Sequence, residues 1–318
     1  MRSRALLIAL TVSLFSSFTP AIAAEPKVAI AYDIGFLGDN SFNDAVHLAL
    51  KAAKKKYGLV EPFVREVPTN GTAVDRLTRL RFLAKSGYTL IIAVGPGYRQ
   101  TVARVSKEYT ETQFAIINDK SIAQLNVSNI FFREDHGAYL AGIAAANLSK
   151  RKSIAFIGSE PELLESFTKG ARVNFPKVKI KNVSYPDSVE SLRSQLSGVD
   201  IAYSTWDGDP SVVAVISEDF AGKIKLISEI PDQYFAQIPQ TKSIVVATVS
   251  KQMSKPISQL VSAALESRAI IDVLDDAEGI YGREYNATNG GVGITFNISV
   301  NSYLKSQLRQ ALIQLKQG

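Results

Sequence analysis

Short, continuous apolar runs alternate along this chain with stretches whose apolar residues recur every three or four positions. The first run, Val28, Ala29, Ile30 and Ala31, suits a strand buried on both faces of a parallel sheet, and it stops at Asp33. Gly35, Gly38, Asp39 and Asn40 supply turn chemistry, and Ser41 caps a helix through Ala45, Leu48, Ala49 and Ala52 toward Tyr57. A strand is expected over 60–67, and a helix over 72–86 with Val74, Leu77, Leu80 and Leu83 on one face. The run over 88–98 is a buried strand ending in Gly95 and Gly97, where a bare backbone lets amides approach a ligand. A helix to about 109 and a strand over 114–119, FAIIND, complete the first series.

Residues 130–132 form a short extended piece, and 137–148 read as a helix of small apolar residues suited to close packing. A second series follows, with strands over 153–160, 178–183, 200–209 and 224–230 and helices over 163–175, 189–196 and 211–220. The apolar run over 243–253 is a strand that ends at Lys251, and a helix is expected over 256–274. Residues 279–297 have the Gly and Asn density of a loop or hairpin, and a helix over 300–316 closes the chain. Regular alternation of strand and helix with short turns indicates an α/β protein with doubly wound parallel sheets.

Two similar series divide the chain into a first lobe over 24–129 plus about 252–278 and a second over 130–251 plus about 279–318, with a ligand cleft between them. Ligands of open α/β sheets bind beyond the carboxyl ends of the strands. Asp33 and Phe42 therefore stand where they can meet one, the first as an acceptor and the second as a flat apolar surface.

Residues 1–23 carry Arg2 and Arg4, an apolar centre and a small-x-small site at Ala21-Ile22-Ala23, and are expected to be a secretory signal peptide. The apolar centre is short for a membrane span and is broken by Ser16, Ser17 and Pro20. No cysteine lies near the cleavage site to accept a lipid anchor, so the mature chain is expected to be free in a periplasm or associated with a cell surface. The 318 residues contain no Cys at all, which excludes disulfides and thiolate metal sites. Net charge is +6, partly from Lys51 with Lys54, Lys55 and Lys56, and from Lys150 with Arg151 and Lys152, at expected helix ends. No aromatic residues interleave with these clusters, so nucleic acid is not expected as a partner.

With VAIAYDIGFLGDNSFN, GYTLIIAVGPGY, FAIIND, NIFFREDHGAYLAG, SIAFIG, DIAYSTWDG, VVATVSK and NGGVGIT in order along nearly the whole mature chain, the sequence resembles the basic membrane protein family of substrate-binding proteins, of PnrA-like type. The resemblance implies a two-lobed periplasmic-binding-protein-like (type I) fold. It also implies a small-molecule ligand, a nucleoside and more narrowly a purine nucleoside, delivered to the membrane permease and ATPase subunits of an ABC importer, with no cofactor. In such proteins two aromatic rings sandwich the base; Phe42 matches one, and the single Trp, Trp206, matches the region of the other, the competing reading being a core or interface Trp. Asp33 matches a strand-end carboxylate and Asn43 lies beside the stacking ring. FAIIND replaces the family's FAIID, so either Asn118 or Asp119 takes the polar position. Glu229 and Lys251 match ribose-contacting positions, Asp232 with Gln233 matches the end of a family motif, and Gly95 with Tyr98 matches the glycine loop. Arg133 and Glu134 match F-R-E as a structural charge pair, and Asp207, Gly208 and Asp209 replace a small Gly-rich loop.

An enzyme is the first competing class. Nucleoside hydrolysis or phosphorolysis needs a general acid or base, a metal-binding carboxylate cluster or a phosphate loop. The chain has only His47 and His136, no G-x-S-x-G and no phosphate loop, and the D-x-D of Asp207 with Asp209 stands alone. A transcription regulator of similar fold would carry a helix-turn-helix where this chain carries an export signal. The strongest competitor is a receptor for another solute, such as a sugar or an autoinducer.

Overall fold

The computed structural model describes residues 26–34, 37–38, 42–183, 188–205, 211–220, 222–230 and 241–317. In chain order the first elements are β1 (Val28–Ala31), α1 (Phe42–Tyr57), β2 (Val64–Val67), α2 (Ala73–Lys85), β3 (Leu90–Val94), α3 (Arg99–Glu108), β4 (Gln113–Ile117), β5 (Val127–Phe132) and α4 (Glu134–Leu148). They continue with β6 (Ser153–Ile157), α5 (Pro161–Arg172), β7 (Lys179–Val183), α6 (Val189–Leu196), β8 (Ile201–Ser204), α7 (Ser211–Glu218) and β9 (Lys225–Ile230). The last are α8 (Thr241–Ile244), β10 (Val245–Lys251), α9 (Ser254–Leu265), β11 (Asp272–Asp275), β12 (Ile280–Tyr285), β13 (Val292–Phe296) and α10 (Ser302–Gln317).

The strands form two sheets, ordered β11-β12-β5-β4-β3-β1-β2 and β13-β10-β9-β8-β6-β7. Pairing is parallel except where β11 meets β12 and β13 meets β10. The chain is thus an α/β protein of two mainly parallel sheets, with strand order reversing beside β1 in the first and beside β6 in the second. The central strands β1, β3 and β8 are buried at every position, because helices cover both faces.

Local chemistry explains several helix ends. Thr72 caps α2 by accepting from the Asp75 amide at 3.2 Å, and Ser188 caps α6 by accepting from the Ser191 amide at 3.2 Å. Lys54, Lys55 and Lys56 close α1 where the helix dipole favours cations. The small-residue helix α4 packs directly on α5: a Cβ at Gly142 would stand 2.0 Å from the Phe167 carbonyl oxygen, and one at Gly170 2.0 Å from that of Tyr139. The Ala and Gly run of α4 is therefore a close helix contact rather than a weak helix.

Three expectations change. The stretch over 279–297 is not a hairpin, since β12 pairs in parallel with β5 in the first sheet and β13 pairs antiparallel with β10 in the second. Between them Asn286 accepts from the Thr288 and Asn289 amides, both at 2.9 Å, and a Gly291 Cβ would fall 2.4 Å from the Tyr285 Cβ, so the crossing is a tight Asn-Gly turn. The helix expected over 256–274 ends at Leu265, and β11 adds an edge strand to the first sheet. The sheets exchange chain after Phe132, after Lys251 and after Tyr285, so β5 and β12 pair in the first sheet, whereas the sequence series places 130–132 and 279–285 in the second lobe. The difference is physical: β5 and β12 pair with each other, and neither carries a local sign of which sheet its partner is in.

Candidate functional site

The carboxyl ends of strands from both sheets meet at one cleft. A cavity of about 630 Å³ is lined by Asn118 and Phe132, which follow β4 and close β5, by Glu134 at the start of α4, by Ser159 and Glu160 between β6 and α5, and by Leu163 in the first turn of α5. A second cavity of about 110 Å³ shares Asn118, Glu134, Glu160 and Leu163 and adds Thr205, Glu229 and Lys251, at the ends of β8, β9 and β10. In the second sheet the lining straddles the switch in strand order between β6 and β8, the crevice where such sheets bind ligands.

Lys251 organises the smaller cavity. Its ammonium lies 2.8 Å from a Glu134 carboxylate oxygen and 3.9 Å from one of Glu229, with its side chain only 4% exposed and that of Glu229 3% exposed. The same ammonium stands 5.9 Å from the centre of the Phe42 ring, within cation–π range. Glu229 also accepts from the Tyr203 hydroxyl at 2.9 Å, which orients it from below. On the far side Thr205 donates to Glu160 at 3.0 Å, and the Ser159 hydroxyl and amide donate to the same carboxylate at 2.9 and 3.1 Å. A Cβ at Gly158 would lie 2.2 Å from the Thr205 hydroxyl oxygen, so glycine there lets β6 and β8 present these groups together.

The predicted site residues separate into groups. Phe42, Asn118, Glu229 and Lys251 come together at the cleft. Asn118 takes a left-handed backbone (φ 65°), which Asn tolerates better than most residues, and its amide donates to the Ile130 carbonyl at 2.7 Å. Of the FAIIND pair it is Asn118 that lines both cavities. Asp119 is buried and its carboxylate is occupied by Arg99 at 2.6 Å and by the Ser121 hydroxyl and amide at 2.6 and 2.9 Å.

Asp33 stands at its strand end but lines neither cavity. Its carboxylate accepts from Arg76 Nε at 3.0 Å, from Arg76 Nη2, and from the Ile34 amide at 2.9 Å. Gly95 packs beside that carboxylate, and its φ of 96° is a glycine conformation. Tyr98 is fully buried with its hydroxyl donating to the Tyr32 carbonyl at 3.1 Å, and burial raises its pKa; it packs in the core of the first sheet and lines neither cavity. Asn43 is buried, and its side-chain amide donates to the Ile34 carbonyl at 3.2 Å, holding the turn ahead of α1. Trp206 and Asp232, with Gly35, Asp39, Asn40, Ser41, Gln233 and the Asp207-Gly208-Asp209 loop, lie outside the described residues.

Three cleft residues escaped the sequence pattern: Glu134, Glu160 and Thr205. Glu134 was paired with Arg133, yet Arg133 makes a two-point contact with Asp135 at 2.7 and 2.8 Å while Glu134 turns to Lys251. Glu160 had a usable signal, since it follows an apolar strand and a Gly-Ser pair just as Asp33 follows β1.

Among the described residues no group of three or more His, Cys, Asp or Glu side chains is arranged to hold a metal ion, and no helix is long and apolar enough to cross a membrane. The cleft offers acceptors, one ammonium, one amide and apolar surface, which suits binding by hydrogen bonds and stacking.

The sequence profile of ABC transporter substrate-binding proteins of the PnrA-like kind, Bmp, matches residues 26–310. The chain belongs to this family. An ABC transporter nucleoside-binding protein, BmpA, of Lactococcus lactis is 27% identical over 159 residues, 50% of this chain and 45% of that one. Basic membrane protein A of Borreliella afzelii is 26% identical over 255 residues, 76% of each chain. The alignments to the first relatives span about half of their length. An uncharacterized lipoprotein of Pyrococcus horikoshii, 34% identical over 39% of this chain and 30% of that one, bears a name at odds with the expectation of a chain without a lipid anchor. In fold, a solved ABC transporter solute-binding protein from Conexibacter woesei superposes with a TM-score of 0.71 at 18% identity, covering 92% of this chain and 97% of that one. What the match shows is membership of a family of ABC transporter substrate-binding proteins.

Proposed function

We propose that this Bmp-family protein is the extracytoplasmic receptor of an ABC importer for a nucleoside, most simply a purine nucleoside, and that it performs no chemistry on it. The observation that carries this is the meeting of Phe42, Asn118, Glu134, Glu229 and Lys251 at the carboxyl ends of both sheets. The base lies on the Phe42 ring, with Trp206 as the opposing face, and Asn118 reads a base edge with both donors and an acceptor. The sugar hydroxyls meet Lys251, Glu134 and Glu229. Each stacked base contributes on the order of 1–3 kcal/mol. Because the ligand contacts groups from both sheets, it favours a closed arrangement of the lobes, and the importer's membrane subunits recognise that form. The relative named as nucleoside-binding supports the ligand class.

A titration tests this. Mature protein, refolded to remove any co-purified ligand, is titrated with adenosine, guanosine, inosine, cytidine, uridine and ribose while Trp206 fluorescence and heat are followed. Saturation by purine nucleosides but not by ribose is the expected outcome. Saturation by ribose alone favours the sugar-receptor alternative, and silence from all six in a folded protein refutes the nucleoside assignment.

A further inference from the structure

Among the described residues the smaller cavity is lined by three carboxylates, Glu134, Glu160 and Glu229, and by one cationic side chain, Lys251. Lys251 is already committed to two of them, at 2.8 and 3.9 Å. Thr205, the one hydroxyl of the lining, spends its proton on Glu160. Carboxylates only accept. A ligand group entering this space therefore meets acceptors in excess of donors and negative charge in excess of positive. We propose that the Lys251 end of the cleft is a cation-selecting subsite, which takes an ammonium group on the sugar of the ligand in preference to a hydroxyl and refuses a phosphate.

Glu160 is the residue that sets this selection. Glu134 and Glu229 share the charge of Lys251, whereas Glu160 is held by neutral donors alone, Thr205 and Ser159, and so keeps its full charge toward the cavity. It is exposed and lines both cavities, so it faces a ligand that bridges them. An ammonium between Glu160 and Glu134 donates to both, and a charged donor makes a hydrogen bond roughly twice as strong as a neutral one. A phosphate in the same space adds negative charge to an acidic lining and has no free cation to pair with among the described residues.

This rests on the nucleoside reading above, and its test separates the two. Calorimetric titration at pH 7 uses adenosine and uridine, each as the parent nucleoside, the 3′-amino-3′-deoxy form, the 5′-amino-5′-deoxy form and the 5′-monophosphate. For whichever base binds, one amino form is expected to bind about tenfold tighter than the parent, and the monophosphate at least about tenfold weaker. In Glu160→Gln, which keeps the acceptor for Thr205 but removes the charge, the amino-to-parent ratio should fall to within about threefold of unity. Parent binding with no amino preference, a monophosphate as tight as the parent, or a preference unchanged in Glu160→Gln overturns the cation-selecting subsite and leaves the nucleoside receptor standing. Silence from every form overturns both.

Discussion

Replacing Lys251 by Met tests whether the buried charge cluster holds the cleft together. The substitution keeps an unbranched side chain of similar volume and removes the ammonium that lies 2.8 Å from Glu134 and 3.9 Å from Glu229. At an effective dielectric near 20, one charge pair about 4 Å apart is worth about 4 kcal/mol. Desolvating the partners costs a similar amount, so the intact cluster is close to neutral for stability. The variant does not return to neutrality, because Glu229, 3% exposed, is left facing Glu134 without its cation. Removing one partner of a buried charge pair costs about 3–5 kcal/mol, a large share of the roughly 5–15 kcal/mol that stabilises a typical domain. Loss of the Phe42 cation–π contact adds about 0.5 kcal/mol.

Urea unfolding at pH 7, followed by far-ultraviolet circular dichroism, should show a midpoint lowered by that loss with an unchanged slope. The penalty should shrink as pH falls toward 5. In the variant the folded state favours the protonated carboxyl more than the unfolded chain does, so the folded form binds the extra proton and gains stability on acidification. A loss below about 1 kcal/mol with no pH dependence would mean that Lys251 is a solvated strand-end lysine, and the electrostatic account of the cleft would fail.

Other outcomes follow from single contacts. Tyr98→Phe removes the hydroxyl that bonds the buried Tyr32 carbonyl and lies beside Thr69, so thermal or urea unfolding should register about 1–3 kcal/mol while ligand affinity stays within about twofold; a tenfold loss of affinity would return Tyr98 to the site. Gly142→Ala places a methyl 2.0 Å from a backbone oxygen that cannot rotate away, and should cost about 1–3 kcal/mol by forcing α4 and α5 apart, read as a lower melting temperature. Burial and then the nearby Arg133 charge hold the His136 imidazole below its ordinary pKa. The unfolded chain therefore binds that proton first. Stability from this group is complete above about pH 6.5 and declines as pH falls from there toward the depressed folded value, and His136→Gln should flatten that part of a stability–pH curve. Trp206→Ala should weaken ligand binding more than Lys251→Ala does, and equal losses by calorimetry would remove Trp206 from the stacking pair.

The periodicity of the chain was enough to place nearly every strand and helix, since burial of a parallel strand on both faces writes a continuous apolar run into the sequence. Strand-end logic, with the family resemblance, also led to Phe42, Asn118, Glu229 and Lys251. What it could not supply was the partner each polar group would find. Arg76, on α2, takes the carboxylate of Asp33, and Arg99, on α3, takes that of Asp119. Glu134 leaves its neighbour Arg133 for Lys251, which arrives from a distant strand. Likewise β12 joins the first sheet and β13 the second, although one short turn connects them. The elements, their order and the chemistry available at strand ends are legible along the chain, because these depend on neighbours a few residues away. Which of those ends stay open to a ligand is a property of the fold, because a side chain's charge is satisfied by whatever the fold brings within about 3 Å of it, at any separation along the chain.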